Sequence, residues 1–227
     1  ESLAWHGVAE RWLAPLCESV VEIVSTPLPA AQGSFALSQV ARSARIDELE
    51  FVLPVKATPE RALVTPARLA EVFERHADGP VVLAYAERLR ALDFLPLEGH
   101  LKCFIDLVFE REGRFHIVDY KSNWLGSCVA DYRPARLQEP MLGHHYVLQY
   151  HHYLVALHRH LQQRVPGYDY ERHVAGAWYL FLRGMSPAHA TGNGVYHDRP
   201  PRALVQALSD LFAASGPGGG RAGGASA

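Results

Sequence analysis

Two stretches of the chain alternate between apolar and polar residues with the two-residue period of a β-strand. They are GHLKCFIDLVF at 99–109 and FHIVDYKSNWLG at 115–126. The odd-numbered residues from 101 to 109 are all apolar, whereas the even-numbered ones include charged side chains. Because successive side chains of a strand point to opposite faces, this pattern predicts strands with one apolar face.

The dipeptide Glu112-Gly113 between these strands is a turn signal and predicts a β-hairpin. With those two residues as the loop, the numbers of paired residues sum to 225, so Asp106 lies opposite Asp119. Opposed residues have Cβ atoms about 4.5 to 5.5 Å apart, and like charges at that distance repel. Lys121 follows Asp119 by two residues and therefore shares its face.

Three arrangements can relieve the repulsion between Asp106 and Asp119. The two carboxylates can share a proton, one can form a salt bridge with Lys121, or both can bind a hard cation through oxygen. Residue types alone leave all three open, because structural ion pairs of this kind are common.

The remaining pattern predicts an α/β protein without internal repeats. A turn-rich loop is expected over 122–140. The predicted elements are helices over about 5–24, 65–76, 81–92, 144–163 and 201–213, and strands over 46–55 and 174–182. The segment 214–227 is almost entirely Gly, Ala, Ser and Pro, and is predicted to be a disordered tail.

The composition of the chain does not identify a function, but it limits the kinds of surface and setting that are expected. The net charge of −2 does not indicate nucleic-acid binding by itself, so any such surface has to come from local charge. The three cysteines have no paired spacing, and no apolar run approaches the ~20 residues that span a bilayer. A reduced, cytoplasmic setting without membrane contact is therefore expected.

Two further groups of polar residues are candidates for a site. On the helix predicted at 144–163, Gln149 and Tyr153 lie one turn apart on the flank of an apolar stripe, where they face either solvent or a site. On the strand at 46–55, Glu48 and Glu50 share one face. The six histidines between 144 and 160 spread around their helix, which does not favour a zinc site.

The strings DYKSNWLG at 119–126, LQY at 148–150 and YLFLRG at 179–184 resemble the C-terminal nuclease domain of the RecB family. That family comprises the beta subunits of exodeoxyribonuclease V (RecBCD), and the domain is of the restriction-endonuclease-like PD-(D/E)XK type. The resemblance covers about residues 1–213 and implies one domain with a restriction-endonuclease-like core, in which helices flank a central mixed sheet.

The resemblance also implies roles for individual residues. Asp106, Asp119 and the backbone carbonyl of Tyr120 would bind Mg²⁺, and Lys121 would be the catalytic lysine. An acidic residue from an upstream element would be Glu48, with Glu50 as its rival. Gln149 and Tyr153 would face the metal site and contact the phosphate backbone of DNA.

Two functions follow as alternatives. The first is a magnesium-dependent nuclease that acts on single-stranded DNA and duplex ends. It would work within a helicase-nuclease that has RecC-like and RecD-like subunits and serves double-strand-break repair and recombination.

The family also uses an upstream histidine ligand in a motif that this sequence lacks, so the chain is expected to be an N-terminally truncated domain. The second alternative is therefore a non-catalytic module that docks RecA or partner subunits.

Overall fold

The computed structural model describes residues 7–30, 33–55, 64–92 and 99–213 of the 227-residue chain. The helices are α1 (Leu13–Ser25), α2 (Pro66–His76), α3 (Pro80–Arg90), α4 (Pro134–Gly143), α5 (Tyr146–Arg164), α6 (Tyr170–His173) and α7 (Arg202–Ala213). The strands are β1 (Leu28–Ala30), β2 (Gly33–Phe35), β3 (Arg45–Val55), β4 (Gly99–Arg111), β5 (Arg114–Lys121), β6 (Val174–Phe181) and β7 (Val195–Asp198).

Five strands form a mixed sheet in the order β3-β4-β5-β6-β7, and β1 and β2 form a separate antiparallel pair. Strand β5 runs antiparallel to β4 and parallel to β6, and β7 runs antiparallel to β6. The parallel pair β5 and β6 is joined by the helical segment α4 to α6, as parallel strands require a long crossover. The predicted restriction-endonuclease-like core with a central mixed sheet is confirmed.

The β4–β5 hairpin has the predicted register. Its pairs run from Arg111 with Arg114 to Leu107 with Val118, and every pair sums to 225. Glu112 and Gly113 have φ angles of 55° and 73°. Positive φ at both loop residues is the signature of the type I′ turn, whose twist matches that of the flanking strands.

The chain divides into two compact units. The first holds the residues up to Leu49 together with Phe104–Tyr150 and Gly167–Arg199. The second holds Glu50–Cys103, His151–Pro166 and the residues from Pro200 onward. Strands β3 and β4 and helix α5 each contribute residues to both units, so the single domain predicted over 1–213 stays a prediction.

The first unit buries one face of the sheet under the β1–β2 pair. The side chains that share this core are apolar and at most 6% exposed. They are Leu28, Phe35, Leu37, Leu107, Phe109, Val118, Trp178, Leu180, Met185 and Val195. Burial of such side chains is the main stabilising term of the fold.

The second unit is built mainly from helices. Helices α2 and α3 pack through Phe73 and Tyr85, whose ring centroids are 6.0 Å apart. Thr65 caps α2, because its hydroxyl accepts a hydrogen bond from the Arg68 N–H. Arg159 of α5 donates two hydrogen bonds to Ser209 of α7.

Some predicted elements differ from the structure. The predicted loop over 122–140 is wrong in its second half, where α4 begins with Pro134 at its first turn and buries Leu137 and Met141 one turn apart. The first helix begins as a 3-10 turn at Glu10 and has no fully buried residue, although Ile23 and Val24 are partly buried against the core of the first unit. The predicted disordered tail lies outside the described residues.

A membrane span is not found among the helices that the structure describes.

Candidate active site

Strand β5 positions Asp119 and Lys121 at the end of the sheet farthest from the hairpin turn. Along its parallel neighbour β6, Asp119 pairs with Tyr179 and Lys121 pairs with Phe181. The face that carries Asp119 and Lys121 is opposite the face that carries Val118. The strand therefore directs its charged side chains away from the apolar core of the first unit.

Asp119 and Lys121 form a buried ion pair. The Lys121 Nζ lies 2.5 Å from the Asp119 Oδ1, and the two side chains are 11% and 5% exposed respectively. Two charges removed from water lose hydration, and their attraction repays this loss only when further hydrogen bonds satisfy them. The salt bridge, one of the three arrangements that the sequence leaves open, is present in the structure.

Asp106 lies one position beyond the last pair of the β4–β5 ladder. Its Oδ2 accepts a hydrogen bond from the backbone N–H of Tyr120 at 2.7 Å. Burial, followed by the nearby Asp106 carboxylate, raises the pKa of the Tyr120 phenol. Continued by one position, the register of the ladder would place Asp106 opposite Asp119, and the hydrogen bond from Tyr120 holds the Asp106 carboxylate beside β5.

Three side chains enclose the Lys121 ammonium group. Gln149 Oε1 accepts a hydrogen bond from Lys121 Nζ at 3.1 Å and another from the Tyr179 hydroxyl at 2.9 Å. The ring of Tyr146 lies 4.0 Å from Lys121 Nζ, and the ring of Tyr179 lies 5.0 Å away. A cation over aromatic faces is held by their quadrupoles, so the position of the ammonium is fixed.

Gln149 therefore lies beside Lys121, as the resemblance implies, whereas Tyr153 is buried. Tyr153 lies one turn further along α5, belongs to the second unit and is only 5% exposed. A DNA contact from Tyr153 stays a prediction, and its burial does not favour that role.

The two upstream acidic candidates differ in their surroundings. Glu48 is exposed and has φ of 55°, so it interrupts the regular alternation of β3. Glu50 belongs to the second unit and forms an ion pair with Lys102 at 2.9 Å. The described contacts do not link Glu48 to Asp106, Asp119 or Lys121, and its predicted role stays untested.

The donor set at this end of the sheet fits a hard divalent cation. Asp106 and Asp119 supply carboxylate oxygens on one face, and Mg²⁺ needs only one or two carboxylates because it keeps several waters. Within the described residues, no group of three or more His, Cys, Asp and Glu side chains is arranged to hold a metal ion. Two of the α5 histidines, His151 and His158, are buried.

Tyr146 and Tyr179 also contact Lys121, and the sequence did not predict either contact. Tyr146 precedes Gln149 by three residues on α5, so the helical spacing alone places it on the same face. Tyr179 could be found only through the register of the parallel strands, which a single sequence does not provide. Neither residue has an unusual local pattern.

The comparisons with known proteins agree with this geometry. The chain belongs to the PD-(D/E)XK nuclease superfamily, whose sequence profile matches residues 4–215. The class of protein is therefore a nuclease, a hydrolase of phosphodiester bonds.

Three relatives share the same printed description, RecBCD enzyme subunit RecB. The protein from Escherichia coli K12 is 36% identical over 213 residues, which is 94% of this chain and 17% of that protein. The protein from Mycobacterium tuberculosis H37Rv is 41% identical over 213 residues, covering 88% of this chain and 20% of the relative. The protein from Haemophilus influenzae is 38% identical over 192 residues, covering 84% and 14%. The chain thus spans a fifth or less of the length of these relatives.

Proposed function

We propose that this chain is a magnesium-dependent nuclease domain that hydrolyses phosphodiester bonds of DNA. The observation that carries the proposal is the ion pair of Lys121 and Asp119, 2.5 Å apart, at the strand end where Asp106 supplies a second carboxylate that accepts from the Tyr120 N–H. In a chain of the PD-(D/E)XK superfamily, this combination of two aspartates and one lysine is the expected catalytic set.

Asp106 and Asp119, with the backbone carbonyl of Tyr120, would hold the Mg²⁺ ion. When bound, the ion would supply polarisation of the phosphate and a lowered pKa for water. Hard oxygen donors suit this cation, and the nearly buried Asp119 side chain limits competition from bulk water.

Lys121 is the group that acts on the reacting atoms. Its ammonium is held by Asp119, Gln149 and two aromatic rings, so it presents its charge in one place. A positioned ammonium can orient the attacking water by hydrogen bonding and can stabilise negative charge that develops on the phosphate. Gln149 contributes as a positioning residue, because its carbonyl oxygen also accepts from Tyr179.

The relatives suggest the setting in which the domain works. Their description as RecB, a subunit of the RecBCD enzyme, supports a helicase-nuclease in double-strand-break repair and recombination, with RecC-like and RecD-like partner subunits. We extend the proposal to single-stranded DNA and duplex ends as substrates, to RecA as a further partner and to a cytoplasmic location.

The test compares two lysine variants. Lys121→Ala should lower the rate of magnesium-dependent cleavage of a labelled single-stranded oligonucleotide by about 10² to 10³-fold, the usual cost of removing one group that stabilises developing negative charge. Lys102→Ala is the matched control, because Lys102 is exposed and pairs with Glu50 in the second unit. It should cleave at the wild-type rate.

Calorimetric titration with Mg²⁺ and with Ca²⁺ separates cleavage from metal binding. Wild-type protein should bind the metal through its two aspartates, and Asp106→Asn should weaken that binding. Equal cleavage by Lys121→Ala and wild type would overturn the proposed role of the lysine. Metal binding without any cleavage by wild type would instead favour the non-catalytic docking module.

A further inference from the structure

Trp124 lies three residues after Lys121 and is the most exposed of the large hydrophobic side chains that the structure describes, at 66%. Single exposed hydrophobic residues are common and need no explanation by themselves. Trp124 is unusual because of how its backbone is held and because of which charged side chain lies beside its ring.

The segment on either side of Trp124 is anchored by side chains of the first unit. The Ser122 carbonyl accepts a hydrogen bond from Arg183 Nε at 2.9 Å, and the Asn123 Oδ1 accepts one from the Tyr146 hydroxyl at 3.1 Å. The Leu125 N–H donates to the Tyr132 hydroxyl, also at 3.1 Å. The indole is therefore displayed on an ordered support although its own side chain is open to solvent.

Tyr146 links this support to the candidate active site. Its ring lies 4.0 Å from the Lys121 Nζ, and its hydroxyl donates to Asn123. Three residues span at most about 11 Å of chain, so Trp124 lies within about that distance of Lys121. The indole therefore lies in the same part of the first unit as the candidate active site.

Arg183 supplies a cation beside the ring. Its guanidinium carbon lies 5.8 Å from the centroid of Trp124, and its Nε is the atom that contacts the Ser122 carbonyl. The two terminal nitrogens of its guanidinium can therefore bind an anion. An exposed indole face with an arginine beside it is the combination that stacks a nucleobase and neutralises its phosphate.

From this arrangement we propose that Trp124 and Arg183 form a binding site for one unpaired nucleobase and its phosphate, adjacent to Lys121. The inference rests on the proposed function, since it assumes that DNA reaches this end of the sheet. A paired base has both faces covered by its neighbours in the duplex, whereas an unpaired base can stack on the indole. The site would thus favour single-stranded over duplex DNA.

The first measurement is the affinity of the full 227-residue chain for single-stranded oligonucleotides, with Ca²⁺ in place of Mg²⁺. Trp124→Ala should weaken binding by roughly tenfold, within the range found for loss of one base-aromatic stack. Trp124→Phe should retain most of the affinity, and Arg183→Ala should weaken binding and reduce its dependence on salt. Trp12→Ala is the matched control, because Trp12 is also exposed, at 51%.

The second measurement places a single abasic nucleotide at successive positions of the oligonucleotide. For wild type, one position should weaken binding by about the factor that Trp124→Ala does, and the two changes together should weaken it no further. Additive losses at every position, or equal affinity of Trp124→Ala and wild type, would overturn the proposal. If Trp124→Ala left single-stranded binding intact but reduced binding to a protein subunit, the surface would be a protein interface.

The outcomes also separate this proposal from the proposed function. Wild-type protein that cleaves DNA with a Trp124→Ala variant of unchanged affinity would contradict only the base-stacking site. Wild-type protein that neither binds nor cleaves any DNA would contradict both. Thermal unfolding of the two Trp124 variants should match wild type, because the indole is mostly exposed.

Discussion

Both faces of strand β5 bury polar side chains, but one face buries a charged pair and the other buries a neutral side chain. One face buries Asp119 and Lys121 as ions, with Gln149 and two aromatic rings satisfying the ammonium. The other face buries His116, which is 8% exposed. The pKa of His116 is lowered to about 3, mainly by burial and further by the nearby charges of His197 and two arginines. The imidazole is therefore neutral at pH 7.

The aromatic neighbours of the two faces explain the difference. His116 stacks on Phe109 with ring centroids 4.5 Å apart, and the Trp178 Nε1 donates to its Nδ1 at 3.1 Å. Those contacts satisfy a neutral ring. On the other face, Tyr146 and Tyr179 present their π-systems to a cation, which is stabilised by them. We therefore expect substitutions on the face of Asp119 and Lys121 to change activity, and substitutions on the face of His116 to change stability.

The largest effect expected on the apolar face comes from Leu180→Ala. Leu180 is fully buried in the core with Val118 and Trp178, so truncation should cost about 2 to 5 kcal/mol of unfolding free energy through lost burial and a cavity. Urea unfolding measures this cost. Cleavage per folded molecule should stay near the wild-type rate, and a large loss of activity in the folded protein would contradict the separation of the two faces.

A smaller effect, for each unit of pH, is expected through His116. The unfolded imidazole has a pKa of about 6.5, whereas the folded value is about 3. Between these values the unfolded chain binds one more proton than the folded chain. The contribution of His116 to the free energy of unfolding is therefore fully present above about pH 6.5 and decreases as the pH falls toward 3. The loss from this group approaches about 1.4 kcal/mol per pH unit within that window.

The variant His116→Asn isolates this contribution. Asparagine keeps an acceptor for the Trp178 N–H but does not titrate, so the unfolding free energy of the variant should depend less on pH between 6.5 and 5. Urea unfolding at three pH values in this window measures the slope. Identical slopes for wild type and variant would show that His116 is not the source.

The sequence predicted the hairpin with its register because two local signals agreed. The alternation and the Glu112-Gly113 turn favour one pairing, and the structure confirms it from Arg111 with Arg114 to Leu107 with Val118. The apolar stripe of α5 is also confirmed, since Val147, Tyr150, Leu154, Leu157 and Leu161 are all buried. These are features set by short-range periodicity.

Features that depend on long-range pairing could not be predicted in this way. Strand β7 has four residues, too few to show a period, and it exists because it pairs with β6. The burial of Tyr153 depends on the tertiary packing of the second half of α5, which a flank position does not reveal. The enclosure of Lys121 likewise needs Tyr179 from β6, a strand about sixty residues away in sequence.

The smallest effect is expected from a substitution on the charged face, at Tyr179, which precedes Leu180 in β6. Tyr179→Phe keeps the ring near Lys121 but removes the hydroxyl that donates to Gln149 Oε1. One neutral hydrogen bond contributes about 0.5 to 1.5 kcal/mol, which corresponds to about a twofold to twelvefold change. We expect the magnesium-dependent cleavage rate to fall by that factor, because Gln149 Oε1 then loses one of the hydrogen bonds that hold it at the ammonium.

Comparison of Tyr179→Phe with Leu180→Ala gives the clearest separation of the faces, since the two residues are adjacent in β6 and point in opposite directions. The first should change the cleavage rate more than the unfolding free energy, and the second should do the reverse. Gln149→Ala should lower the cleavage rate at least as much as Tyr179→Phe does, because both residues act on the same ammonium. The double variant should then cleave no more slowly than Gln149→Ala alone. If the two losses added, the tyrosine hydroxyl would act on the substrate directly and not through Gln149.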